Sequence, residues 1–178
     1  MKVSEFLPVF KLRAPNIMFF LGAGSSVSAG IPTAWNMIWD FKRTLFCIEN
    51  KKPISYCQDL SNPTTRLIIQ SYFDAQKKYS SPGTEAEYAQ FFEALYPDES
   101  DRRRYIEQLV SIAKPSYGHL VLASLFKLNR LRIVWTTNFD RAIEDATIPV
   151  LGSSGKLVTA NLDNARIVSG AKGAPIVH

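Results

Sequence analysis

Cysteine is scarce in this chain of 178 residues: Cys47 and Cys57 are the only two, and no C-x-x-C pair exists. That count excludes a disulfide framework and a four-thiolate zinc site, and it fits structural thiols in a reducing compartment. Long apolar runs are also missing, since none approaches the roughly 20 residues a membrane span needs. The N-terminus has no basic region followed by a long apolar stretch, so no secretory signal is read there. A cytoplasmic protein with no membrane partner is expected. Neither nucleotide-binding fingerprint is complete. The P-loop ending Gly-Lys-Ser/Thr occurs nowhere, and the third glycine of G-x-G-x-x-G is replaced by Val27. A P-loop ATPase and a hydride-transfer enzyme are both disfavoured.

What remains is ordinary globular composition, 46% hydrophobic and 21% charged, enough for one domain over residues 1–178 with a substantial core. The net charge of +5 and pI near 9.2 would suit a polyanion. The basic residues are dispersed, however, and a solvated surface explains them equally well, so nucleic acid enters only indirectly. The sequence stops at His178 directly after the apolar run Pro175-Ile176-Val177, which reads as a strand in progress. The chain is expected to be the N-terminal part of a longer protein.

Short apolar runs mark the strands. Asn16 to Leu21, closed by Gly22, reads as a strand buried on both faces. Leu131 to Trp135 and Ala174 to Val177 read as a second and a third. Between the first two lies a long helical stretch. Thr33 can cap a helix carrying Trp35, Ile38, Trp39 and Phe46, and another spans Thr64 to Lys78 after the prolines of 50–63. Thr84 and Glu87 form a T-x-x-E capping box ahead of Tyr88, Phe91, Phe92 and Leu95, an aromatic stripe read as core. A helix over about 98–113 presents Arg102, Arg103 and Arg104 as a solvated face, and Pro115 and Ser116 separate it from the next. A further helix is expected from Phe139 to Ala146. Strands alternating with helices predict a Rossmann-like parallel sheet with helices on both faces, bearing a helical insertion over about 50–113.

The sharpest motif follows the first strand: Gly22-Ala23-Gly24-Ser25-Ser26-Val27-Ser28-Ala29-Gly30-Ile31-Pro32. A strand-to-turn junction of residues with almost no side chain lets backbone N–H groups approach a pyrophosphate. Ser25 and Ser26 can add hydroxyl donors. A tight turn with no ligand is the competing reading, and the run of small residues after a buried strand weighs against it. The second motif, Thr136-Thr137-Asn138-Phe139-Asp140, lies at the end of the second strand, the edge where open α/β sheets bind ligands. Its amide and carboxylate can hydrogen-bond a ribose and orient a water, or cap the following helix. The two histidines divide: His119, early in a helix, is assigned a structural role, and His178 follows the third strand.

The pattern Gly-Ala-Gly-x-Ser-x-x-x-Gly-Ile-Pro at Gly22–Pro32 is similar to the sirtuin signature. Thr137-Asn138-Phe139-Asp140 resembles the family's Gln-Asn-x-Asp segment, with Thr137 in place of the glutamine. The resemblance covers Ile17 to Pro32 and a weaker stretch from Pro115 to Asp145. It implies NAD as the ligand and no metal, with Gly22, Ala23, Gly24, Ser25, Ser26, Ile31, Pro32, Thr137, Asn138 and Asp140 binding it. It also implies Asn138 and His178 as catalytic residues. Ile176-Val177 precede His178 where the family carries Lys-x, so a histidine just beyond the sequence is the alternative base.

Protein deacetylases of the family follow Gly-Ile-Pro with Asp-Phe-Arg, where this chain has Thr33-Ala34-Trp35, and they carry a four-cysteine zinc module. The sequence instead resembles the bacterial anti-phage NADase branch, in which helices replace that module. The resemblance then implies hydrolysis of the nicotinamide N-glycosidic bond to nicotinamide and ADP-ribose, homo-oligomerisation, and an Argonaute-like or helicase-like partner. The alternatives are an NAD-dependent protein deacylase and a non-enzymatic NAD or ADP-ribose sensor that drives assembly.

Overall fold

The computed structural model describes residues 2–152 and, by backbone alone, 157–160 and 174–177. In chain order the helices are α1 (Val3–Arg13), α2 (Ala34–Glu49), α3 (Pro63–Gln76), α4 (Glu85–Leu95), α5 (Glu99–Ile112), α6 (Tyr117–Lys127) and α7 (Ala142–Leu151). Short 3-10 segments occupy Ala14–Asn16, Ala23–Ala29 and Ile54–Cys57. The strands are β1 (Phe19–Leu21), β2 (Val134–Thr136), β3 (Leu157–Ala160) and β4 (Ala174–Val177). The chain divides into two compact units, one of Met1–Ile31 with Val110–His178 and one of Pro32–Leu109.

The Pro32–Leu109 unit is helical, and its helices start where local chemistry says they should. The Thr33 hydroxyl oxygen accepts the Asn36 N–H at 3.3 Å, and Asn62 accepts the Thr64 N–H at 2.8 Å ahead of Pro63. Each bond satisfies a helix N–H that has no intrahelical acceptor. Along α2, Met37, Phe41 and Leu45 recur at one-face spacing and are buried. Phe41 stacks on Phe92 of α4 at 5.0 Å, and Tyr105 of α5 meets Phe41 and Phe92 edge-on at 5.5 Å. Phe73 of α3 meets Phe91 at 4.9 Å. Burying a phenylalanine contributes about 1.5–3 kcal/mol, so this aromatic cluster is the unit's principal cohesion. The expected core stripe on α4 is therefore present.

The expected capping box is not. Glu87 is drawn inward to a buried ion pair with Lys42 and accepts the Gly83 N–H at 2.7 Å, while the Thr84 hydroxyl donates to the Ser81 carbonyl. Lys42 Nζ also donates to Gln70 at 2.7 Å and sits 4.9 Å from the ring centres of Trp39 and Phe91. A tertiary ion pair thus overrides a local sequence signature. Trp35, expected on the apolar face of α2, is 49% exposed. Of the arginine run, Arg103 and Arg104 form the expected solvated face, pairing with Glu99 and Asp101 along α5, whereas Arg102 is half-buried and donates to the Tyr96 and Pro97 carbonyls at 2.7 and 2.6 Å.

In the other unit, β1 and β2 pair in parallel with Phe19 opposite Val134 and Leu21 opposite Thr136. By backbone, β4 lies beside β2 and β3 beside β4. Leu122, Phe126, Leu131, Val134 and Ile143 form the core beneath β2, with α6 and α7 supplying its helical side.

The Rossmann-like sheet core covered on both faces is overturned. Among residues whose side chains are described, 66% are helical and 4% are in strands, and those strands are only the three-residue pair β1 and β2. The physical reason lies in the apolar run before Gly22. Met18 is 61% and Phe20 72% exposed, so the segment does not lie between two helical layers. The helices of the Pro32–Leu109 unit bury their aromatic faces on one another rather than on a sheet. Helix α1, absent from the sequence reading, has no buried residue. Among the described residues no single helix is long and apolar enough to cross a membrane.

Candidate functional site

The site is built where β1 and β2 end side by side. Their parallel register brings the residues after Leu21 and after Thr136 to one edge, and the Thr137 N–H donates to the Leu21 carbonyl at 3.1 Å. Beyond β1 the chain turns into the 3-10 segment, whose first rung is the Ser25 N–H on the Gly22 carbonyl at 2.9 Å. The N–H groups of Ala23 and Gly24 precede that ladder, and both residues are exposed. The segment closes at Gly30, whose φ of 99° favours glycine, and the Ile31 N–H returns to the Ser26 carbonyl at 3.1 Å. Ile31 is buried at that return, while Pro32 is the first residue of the helical unit.

Gly22 and Gly24 have no such backbone reason to be glycine. A Cβ built on either would meet nothing within 4 Å, and neither has a left-handed φ. Open space above an exposed backbone is what a closely approaching ligand group requires.

Hydrogen bonds join this segment to the second motif, more than a hundred residues later. The Asn138 side-chain amide donates to the Gly22 carbonyl at 3.1 Å, to Ser25 Oγ at 3.0 Å and to Ser26 Oγ at 2.8 Å. The Gly22 carbonyl can only accept, and the Ser25 and Ser26 hydroxyl protons go to the Gly22 carbonyl and Asp140, so the amide nitrogen faces all three oxygens and shares its two hydrogens among them. Ser26 in turn donates to Asp140 Oδ2 at 2.6 Å, and Asp140 Oδ1 accepts the Ala142 N–H at 2.9 Å. The donors therefore run in one direction, from Asn138 through Ser26 to Asp140. The carboxylate at the end is buried, 6% exposed, beside the first turn of α7. A buried carboxylate is retained at tolerable cost because a hydroxyl, a backbone N–H and a helix N-terminus all face it. Thr136, 5% exposed, holds the loop by accepting the Asn138 N–H at 3.0 Å.

His119 also belongs to this unit. Its Nδ1 accepts the Ser116 N–H at 3.1 Å and contacts the Ser116 hydroxyl at 2.8 Å, which pins the first turn of α6 and supports the structural role assigned to it. Burial holds its pKa below the ordinary histidine value, while the nearby Asp140 carboxylate pulls the other way. Because Nδ1 accepts the Ser116 N–H, the ring proton is assigned to Nε2. The sequence reading did not bring His119 toward Asp140, since a G-H pair early in a helix gives no signal of its tertiary neighbour. Thr136 was likewise missed as a positioning residue, though Thr-Thr-Asn after a strand is a recognisable turn signature.

The structure thus gathers Gly22, Ala23, Gly24, Ser25, Ser26, Thr137, Asn138 and Asp140 at one strand edge. His178 lies outside the described residues. Among the described residues no group of three or more histidine, cysteine or carboxylate side chains could hold a metal.

No protein-family profile matches the chain. It is similar to an NAD-dependent protein deacetylase of Clostridium perfringens (strain 13 / Type A), 25% identical over 141 residues. That similarity covers 78% of this chain but 43% of the deacetylase, so the chain spans less than half the length of the relative it matches. The likeness to NAD-using, sirtuin-like enzymes is distant and extends over most of the chain.

Proposed function

We propose that the cluster around Asn138 is the substrate site of a sirtuin-like enzyme that consumes NAD by breaking its nicotinamide–ribose bond. One observation carries the reading: the hydrogen-bond chain Asn138–Ser26–Asp140, which ties the glycine–serine segment to the Asn-x-Asp segment. The residues fit the substrate. Ala23 and Gly24 offer exposed backbone at the start of the 3-10 segment, with room above both glycines for a pyrophosphate. NAD supplies a leaving group, nicotinamide, on an electrophilic ribose carbon. Asp140, held by Ser26 and Ala142, contributes a fixed negative charge that favours positive charge developing nearby. Asn138 is held by three acceptors and is the group assigned to orient the ribose and the acceptor. His178 is assigned, by resemblance, to take up the proton.

An acylated lysine is the better supported acceptor, because the similar clostridial protein is named a deacetylase. Water is the second reading, favoured by the helical make-up of the Pro32–Leu109 unit; depletion of NAD in phage defence extends that reading on resemblance alone. Control by self-association or by an Argonaute-like or helicase-like partner belongs to the same proposal. The test is nicotinamide release from NAD with and without an acetyl-lysine peptide. Release that requires the peptide supports deacylation, and release without it supports hydrolysis. NAD binding with no release in either arm contradicts both and favours a sensor.

A further inference from the structure

Charge is not shared evenly between the two units. The Pro32–Leu109 unit carries 10 basic and 11 acidic residues and the other unit 11 basic and 5 acidic, so the chain's net positive charge belongs wholly to the unit that holds β1 and β2. Its basic residues are dispersed along the sequence, but the fold gathers five of them. Lys11 and Arg13 lie in the last turn of α1, Lys127 lies in the last turn of α6, and Arg130 and Arg132 follow in the segment that enters β2. β1 and β2 are parallel, with Phe19 opposite Val134, and the Phe19 N–H donates to the Ile133 carbonyl at 3.4 Å. The segments entering the two strands therefore meet at one end of the sheet, the end opposite the Asn138 cluster. All five basic residues are exposed, and among the described residues none of them is in an ion pair. No acidic residue occurs from Phe6 to Ile31 or from Val110 to Phe139. The helix C-termini account for cations at Lys11, Arg13 and Lys127. Arg130 and Arg132 lie outside any helix and have no such reason.

The strands beside this end have one covered and one open face. Val134 is buried in the core on the α6–α7 side, and Phe19 and Leu21 pack against the same cluster. Side chains alternate along a strand, so Met18 and Phe20 point away from that core, and both are exposed. Phe20 is in register with the half-buried Trp135, which puts two aromatic rings on the same face of neighbouring strands. We propose that this surface binds single-stranded nucleic acid without sequence preference. The five cations contact successive phosphates, and Phe20 with Trp135 beside it offers a surface on which an unpaired base stacks. The cations select a polyanion. The exposed ring, about 10 Å along the strand from Arg132, selects one with free bases over a duplex whose bases are already stacked or a lipid surface that has none. The inference does not rest on the NAD reading, since the two sites lie at opposite ends of the strands.

The test is fluorescence anisotropy of a labelled oligothymidylate titrated with the whole chain at several salt concentrations. Binding is expected, with log Kd rising against log salt at a slope of about 3, roughly 0.7 for each phosphate contacted. The triple variant Arg13→Ala, Arg130→Ala, Arg132→Ala should lower that slope by about 2 and weaken binding at least about tenfold at low salt. Phe20→Ala should weaken binding at least about fivefold and leave the slope unchanged, because it removes stacking and no charge. Since the four side chains are exposed, both variants should melt like the wild type. Absence of binding at low salt, a triple variant with the wild-type slope, or Phe20→Ala binding like the wild type would each overturn the proposal. So would capture by phosphatidylserine vesicles with no binding to the oligonucleotide.

Discussion

Gly24 separates ligand binding from folding more cleanly than any other position. A Cβ there meets nothing within 4 Å and the backbone is not left-handed, so Gly24→Ala and Gly24→Val insert atoms into open space. Replacing a glycine at a compatible position reduces the freedom of the unfolded chain and stabilises by about 0.4–1 kcal/mol. The melting temperature of Gly24→Ala should therefore hold or rise slightly. If the space serves a pyrophosphate, the valine side chain keeps it from the exposed backbone. The loss is then at least one hydrogen bond to a charged group, about 1.5–3 kcal/mol. At 1.4 kcal/mol per decade that is a weakening of Kd by roughly 10- to 100-fold. Calorimetric titration with NAD, paired with thermal unfolding of the same samples, reads both quantities. A Gly24→Val protein that melts like the wild type and binds NAD within about twofold of it would refute the reasoning.

Two further outcomes follow from buried polar groups. Glu87→Leu leaves Lys42, 1% exposed, without its counter-charge, and should destabilise the helical unit by about 3–5 kcal/mol in urea unfolding; the double variant Lys42→Met, Glu87→Leu should recover most of that loss. Equal losses in the single and double variants would contradict the role given to the ion pair. His119 is held below its ordinary pKa by burial. The unfolded chain therefore binds the proton first, and the contribution of His119 is fully present above about pH 6.5 and lost as pH falls below it. Urea midpoints measured from pH 7.5 down to 5 should drop in the wild type and drop less in His119→Gln, and parallel curves would contradict the assignment.

The helices of the Pro32–Leu109 unit were legible because Thr33 caps the start of α2, because the prolines of 50–63 precede α3, and because apolar residues recur at the spacing that buries one face; the Asn62 cap was not read. The proximity of the two motifs was legible for a different reason. Gly22–Ser26 and Asn138–Asp140 each follow an apolar run, and parallel pairing of those runs brings their ends together. The sheet was over-read, since a short apolar run looks alike whether it is covered on both faces or, as at Met18 and Phe20, left exposed. Glu87 was misread as a capping residue because its partner, Lys42, lies 45 residues away, and no local pattern encodes that choice. Helix α1 was not legible: Pro8 lies inside it, where proline disfavours a helix, and Val3, Phe6, Leu7, Val9 and Leu12 are all exposed, so no apolar face is buried.

Nicotinamide release by the wild type and by Asn138→Ala tests most directly the proposed cleavage of NAD at the cluster centred on Asn138. With NAD and acetyl-lysine peptide both present, and with circular dichroism showing the variant folded, release is expected in the wild type and a loss of at least about 100-fold in the variant. Release by Asn138→Ala at the wild-type rate would contradict it.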